Sequence, residues 1–149
     1  MENKYEIEFD DFLKRFKKLI SDEGYKNSIQ KDYILKILFY IDEHLSAEQI
    51  NTRVKAEYNL DIGIATVYRA MKFFEELHLV ESLDIGDGVK RYELSIALHH
   101  DHLVCTSCGK IIEFTDEFIE DQQIEVSNRH NFKLKKHVMT IYGLCEDCQ

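Results

Sequence analysis

Two C-x-x-C pairs, Cys105-Thr106-Ser107-Cys108 and Cys145-Glu146-Asp147-Cys148, constrain this chain more than any other feature. A C-x-x-C turn lets two sulfurs reach one ion, and two such turns supply the four soft thiolates that suit a closed tetrahedral zinc site. The spacer between the pairs is longer than in a compact zinc ribbon and leaves room for a helix and a strand. Closing the site would tie the C-terminal strand of a small domain to its first strands. A redox dithiol or free buried cysteines are the alternative. Met1–Glu6 shows no basic segment followed by an apolar core, so the expected location is the cytoplasm, where thiols stay reduced and paired C-x-x-C turns read as metal ligands.

Upstream of the first pair, with two residues between, stands His99-His100-Asp101-His102, a run of harder ligands. Alternate residues of an extended segment face opposite sides, so His99 and Asp101 turn one way and His100 and His102 the other. The run is thereby able to serve two metal sites. Candidate distant partners are Glu113, Glu120 and His137 in the same half, and His44 and Glu93 in the first half. Spacing alone does not pair His44 with His100. Histidine and carboxylate ligands suit ferrous iron, manganese, zinc or another divalent ion; solvated surface histidines are the plainer alternative.

The pattern of apolar residues predicts the rest. Phe9, Phe12, Leu13, Phe16, Leu19 and Ile20 recur at helical spacing, as do Ile29, Tyr33, Ile34, Ile37, Leu38 and Ile41 over 29–42. Ser46 with Gln49 is a capping-box signature that opens a third helix through about Glu57. After the turn Asp61-Ile62-Gly63, a fourth helix over about 65–77 buries Val67, Ala70, Met71 and Phe74. Strands over 79–83 and 89–94 flank Gly86-Asp87-Gly88 as a hairpin. Helices joined by a short turn and followed by a hairpin predict a winged helix-turn-helix with an extra N-terminal helix. Beyond it, strands over 102–105 and 110–114, a helix from Asp116 to about His130, and a strand over 132–144 predict a small α+β domain. At that size a structural metal is close to a requirement. The fold class is therefore α+β, with residues 1–94 as the first domain, 95–98 as a hinge and 99–149 as the second.

With 149 residues, 44% of them hydrophobic, the chain is able to bury a core, and it has no apolar run that would span a membrane. A net charge of −9 speaks against general nucleic-acid binding. A local cationic face remains compatible with it. On the fourth helix, Val67 and Met71 turn inward, so Tyr68, Arg69 and Lys72 turn outward, where a recognition helix reads bases. Lys26, Gln30 and Lys31 before the second helix and Lys90 and Arg91 on the wing are candidate phosphate contacts. A solvated helix face explains the same residues without any ligand.

The segments HHDHLVCTSCGKIIEF, IATVYRAMKFFEE, HLSAEQI and the closing CEDC resemble, in order and spacing, the ferric uptake regulator (Fur) family of bacterial metal-dependent repressors. The resemblance runs from about Gly24 to Cys148, and the leading segment is similar to that of members with an extended N-terminus. It implies a winged-helix DNA-binding domain hinged to an α+β dimerisation domain. It implies structural zinc on Cys105, Cys108, Cys145 and Cys148. It further implies a regulatory site of His44, Glu93, His100, His102 and Glu113, and an additional site of His99, Asp101, Glu120 and His137. Tyr68 and Arg69 match the family's DNA-contacting positions. Glu93 and Glu113 stand where the peroxide-sensing branch typically has aspartates, which points to an iron sensor. A peroxide, zinc or manganese sensor is the alternative. One departure from the family pattern is Lys31, in Asn27-Ser28-Ile29-Gln30-Lys31, where an arginine is usual.

The function implied is a regulator that binds double-stranded promoter DNA as a homodimer, or a tetramer built from it, when a divalent metal fixes the hinge. An enzyme is not expected. A nucleobase deaminase needs an H-x-E paired with P-C-x-x-C, and the chain contains no proline. A metal buffer is a further alternative, but it has no use for an outward Tyr68-Arg69 helix or a wing.

Overall fold

A computed structural model describes residues 9–95 and 99–149. Residues 96–98, most of the expected hinge, and the first eight residues lie outside the described part. The chain divides into two compact units, Met1–Leu98 and His99–Gln149. No helix among the described residues is long and apolar enough to cross a membrane.

The first unit runs α1 (Phe9–Asp22), α2 (Ile29–Tyr40), β1 (Leu45–Ser46), α3 (Ala47–Tyr58), α4 (Ile64–Glu76), β2 (Val80–Asp84) and β3 (Lys90–Leu94). Its boundaries follow from local chemistry. Ser28 accepts a hydrogen bond from the Lys31 amide at the start of α2. At α3 the capping box closes in both directions: Ser46 Oγ accepts from the Gln49 amide at 3.2 Å, and Gln49 Oε1 accepts from the Ser46 amide at 2.8 Å. Asn59 ends α3 in the left-handed region at φ 51°, a conformation that asparagine tolerates better than most residues. The Asn51 amide donates to the Ile62 carbonyl at 2.9 Å and so fastens the turn between α3 and α4.

β2 and β3 form the hairpin, from Val80↔Leu94 to Asp84↔Lys90, and β1 adds to β3 through Leu45↔Tyr92. The resulting sheet has the order β1-β3-β2. Ile34, Leu35, Ile50, Val54, Val67, Met71 and Phe74 fill the core. Helix α1 joins it through one stripe, Phe9, Phe12, Phe16 and Ile20. Phe9 and Phe12 pack on Phe39 of α2, and the Phe16 ring meets Phe74 of α4 edge-on at 5.7 Å.

The second unit contains β4 (Asp101–Cys105), β5 (Ile111–Phe114), α5 (Glu117–Arg129), β6 (Thr140–Gly143) and a 3-10 turn at Glu146–Cys148. β4 is central, antiparallel to β5 and parallel to β6. The strand expected over 132–144 shortens to four residues here. β6 pairs with β4 from His102↔Thr140 to Cys105↔Gly143, so residues before Met139 have no ladder partner on a strand that begins at Asp101. The apolar alternation of Phe132, Leu134 and Val138 is real, but alternation without a neighbouring edge makes no sheet. Among the described residues, α5 buries none of its side chains, and Phe118, Phe132 and Val138 are 66–72% exposed. This unit has almost no apolar core of its own.

Docking of α1 is testable. Phe16 is 2% exposed, and Phe16→Ala should lower stability by about 3–5 kcal/mol. Urea unfolding followed by circular dichroism would measure it; a loss under about 1 kcal/mol would mean that α1 is not part of the core.

Candidate metal centres and nucleic-acid interface

The four cysteines converge because β4 and β6 run side by side. The Thr106 amide donates to the Gly143 carbonyl at 2.8 Å, which sets the turn after β4 against the turn after β6. Gly109, at φ +75°, closes the first turn with its amide on the Cys105 carbonyl, and the Cys148 amide closes the second on the Cys145 carbonyl. The sulfurs all lie within 4.8 Å of one another, and Cys108 Sγ stands 3.7 Å from Cys145 Sγ. None is in a disulfide. Zinc–sulfur bonds of about 2.3 Å in a tetrahedron put neighbouring sulfurs about 3.8 Å apart, so the spacing suits a zinc ion. The backbone amides of Cys108 and Cys145 point at Cys105 and bring its thiol down to about 6. Burial and the neighbouring sulfurs push Cys145 up to about 12.

The second cluster, His99, Asp101, Glu120 and His137, also lies wholly in the second unit. Asp101 opens β4, Glu120 sits in the first turn of α5, whose start is fixed by Asp116 accepting from the Ile119 amide, and His137 precedes β6. The imidazole Nε2 atoms of His99 and His137 lie 3.3–3.6 Å from Asp101 and Glu120 oxygens. Both Asp101 oxygens, Glu120 Oε1 and His137 Nε2 are buried without a hydrogen-bond partner. Asp101 is 1% exposed. Buried polar groups in that condition are costly. Four N and O ligands at about 2.1 Å around one cation would stand about 3.4 Å apart, which matches this set and would satisfy Glu120 Oε1, His137 Nε2 and one of the two Asp101 oxygens.

The remaining metal-ligand candidates fall into two groups. In the first unit, pairing of Leu45 with Tyr92 brings His44 beside Glu93, with Nε2 3.3 Å from Oε2. In the second, His102 pairs across the strands with Glu113, His100 Nε2 is 3.6 Å from Glu113 Oε1, and the two rings are 4.9 Å apart. β4 and the two residues before it thus send His100 and His102 toward Glu113, while His99 and Asp101 join Glu120 and His137.

On the first unit, Tyr68, Arg69 and Lys72 are exposed on α4. Tyr68 and Arg69 are engaged rather than loose. The Tyr68 hydroxyl donates to Glu48 at 2.6 Å; that bond lowers the Glu48 carboxyl below its usual range and raises the Tyr68 phenol. Arg69 donates to Thr66 Oγ1. Lys31 donates to the Lys26 carbonyl and lies over the Phe73 ring at 4.1 Å, with Gln30 half-buried next to it. Lys90 pairs with Glu75, and Arg91 holds Asp87 through two bonds of 2.8 and 3.1 Å. Glu48, Glu75 and Asp87 escaped the sequence reading. Asp87–Arg91, four residues apart across a glycine turn, was the detectable one. Glu75–Lys90 requires knowing how the wing folds against α4.

A sequence model described as the Ferric uptake regulator family matches residues 22–142. The "Ferric uptake regulation protein" of Campylobacter jejuni is 44% identical over 143 residues, covering 95% of this chain and 91% of its own length. That of Campylobacter upsaliensis is 44% identical over 149 residues, covering 99% and 94%. The solved structure of the Helicobacter pylori ferric uptake regulator, described as revealing three functional metal binding sites, superposes with a TM-score of 0.86 at 33% identity, covering 99% of this chain and 97% of that one.

The Asp87–Arg91 pair sets a pH expectation. Arg91 and the Val89 amide hold the Asp87 carboxyl at about 2, below its ordinary 3.8. A depressed carboxylate contributes above the ordinary value and is lost as pH falls through the lowered one. The Asp87 carboxyl carbon should therefore titrate near pH 2 by NMR and return to the ordinary range in Arg91→Ala; unchanged titration in the variant would show that the pair does not form.

Proposed function

The chain belongs to the ferric uptake regulator family, and from that we propose a metal-responsive transcriptional regulator that binds promoter DNA as a homodimer and controls iron homeostasis. The observation that carries this reading is the pair of incomplete ligand sets, one per unit: His44 with Glu93 at 3.3 Å, and His100 with His102 and Glu113 at 3.6 Å from His100. Each set alone is short of a full shell, and we assign the two to one regulatory cation. The cysteines are assigned to structural zinc, and His99, Asp101, Glu120 and His137 to an additional cation.

His44 and Glu93 from one unit and His100, His102 and Glu113 from the other would hold the cation, whose positive charge would offset the carboxylates and favour one orientation of the two units. In a symmetric dimer this fixes the separation of the two α4 helices, which has to match the half-sites on the DNA. Driving the population from mostly open to mostly closed needs about 5.5 kcal/mol of differential affinity. The exposed Tyr68, Arg69 and Lys72 support α4 as the recognition helix. The uncovered apolar surface around Phe118, Val126, Phe132 and Val138 supports self-association of the second unit. With promoter DNA as the proposed partner, we assign the protein to the cytoplasm.

Nitrogen and oxygen ligands do not favour iron by affinity. Zinc binds such sets more tightly, so iron selectivity rests on availability in the cell. Gel shifts of promoter fragments against iron, manganese and zinc, with elemental analysis of the isolated protein, separate an iron sensor from a manganese or zinc sensor.

His100→Ala should abolish metal-stimulated DNA binding and leave the circular dichroism spectrum intact. Cys105→Ala should unfold the second unit or dissociate the dimer, seen by sedimentation. Metal-dependent DNA binding retained by the His100 variant would refute the regulatory site.

A further inference from the structure

The groove between α4 and the wing, about 670 Å³, is lined by Glu48, Tyr68, Lys72, Glu75, Val89 and Lys90. Glu75 lies in the last turn of α4, and both of its oxygens accept from Lys90 Nζ, at 3.2 and 3.4 Å. The lysine is more than half exposed, and such a pair adds little to folding. Its location is what gives it consequence. DNA lying on Tyr68, Arg69 and Lys72 brings phosphates to the wing, where Lys90 is a cation on the groove wall. Glu75 both occupies that cation and sets a negative charge on the path of the backbone.

We propose that Glu75 is an affinity-limiting residue of the DNA interface, which withholds Lys90 from phosphate and thereby weakens sequence-independent grip. The inference rests on the regulator reading above. A phosphate contact carries no base information, so withholding one lowers binding to all DNA and leaves discrimination to base-reading side chains on α4. The neighbouring Asp87–Arg91 pair differs in kind, because it ties the two sides of one hairpin turn and shapes the wing itself.

The test uses the full-length, metal-loaded protein and two short DNA duplexes, one of random sequence and one selected from a random pool by the unsubstituted protein. Fluorescence anisotropy across a salt series gives affinity and its salt slope for Glu75→Gln, Lys90→Ala and the double variant. For each engaged subunit, Glu75→Gln should tighten binding to both duplexes by about five- to tenfold near 0.1 M salt and steepen the slope by about 0.9. In the Lys90→Ala background the same change should gain less than about twofold. Equal gains in both backgrounds would mean a diffuse charge effect and would overturn the proposal, as would no gain or a loss. Failure of the unsubstituted protein to bind any duplex with any divalent metal would refute the regulator reading, and this inference with it.

Discussion

Strand β4 is hydrogen-bonded on both edges, and the ligand groups of the second unit take their positions from it. Its pairing with β5 sets His102 opposite Glu113, and its parallel pairing with β6 sets Cys105 opposite Gly143. A slip of one residue would exchange its two faces and send each histidine to the wrong cluster. In most small sheets a buried apolar face enforces register. Here Leu103 and Ile112 are exposed, and only Val104 and Cys105 are buried apolar residues in β4. Register then depends on the cysteine turns at one end and on the Asp101 cluster at the other.

The first unit rests on a different balance. Its core is dense and largely aromatic on the α1 side, and the starts of α2 and α3 are closed by side chains. What it leaves outward is a cationic face inside a chain of net charge −9. Each wing cation has a carboxylate at hydrogen-bonding distance, and the Tyr68 hydroxyl has one as well. The wing is close to electrically balanced before any ligand arrives, so whatever binds Lys90 or Arg91 has to displace a carboxylate.

Much of this was legible in the residues themselves. Helical periodicity gave α1 through α5 to within a few positions, because each carries an apolar or capping signal within its own length. Ser46 and Gln49 announced the start of α3, and the His99–His102 alternation separated the two ligand groups without knowledge of their partners. What stayed hidden was non-local. The segment from Phe132 to Met139 alternates like a strand and is none, since strand formation is decided by a neighbour's length. β1 is only two residues long and exists only because β3 is beside it. Glu75 was one more acidic residue until the hairpin folded over it. The exposure of Phe118 and Val138 was equally unreadable, because a helical or alternating pattern says that a face wants cover and leaves open whether this chain supplies it.

The parallel β4–β6 pairing has a consequence for synthesis. Parallel partners cannot be joined by a tight turn, and here about forty residues separate Cys105 from Cys145. The first unit is rich in local helical contacts, which favours fast folding once its residues have emerged. At roughly 5–20 residues per second, the ribosome takes about 2–8 s to add those forty residues. During that interval β4 has β5 on one edge and nothing on the other, with Cys105 and Cys108 unclosed. Each new molecule thus acquires its α4 face before it acquires a finished second unit, and the order of assembly is written into the direction of one strand.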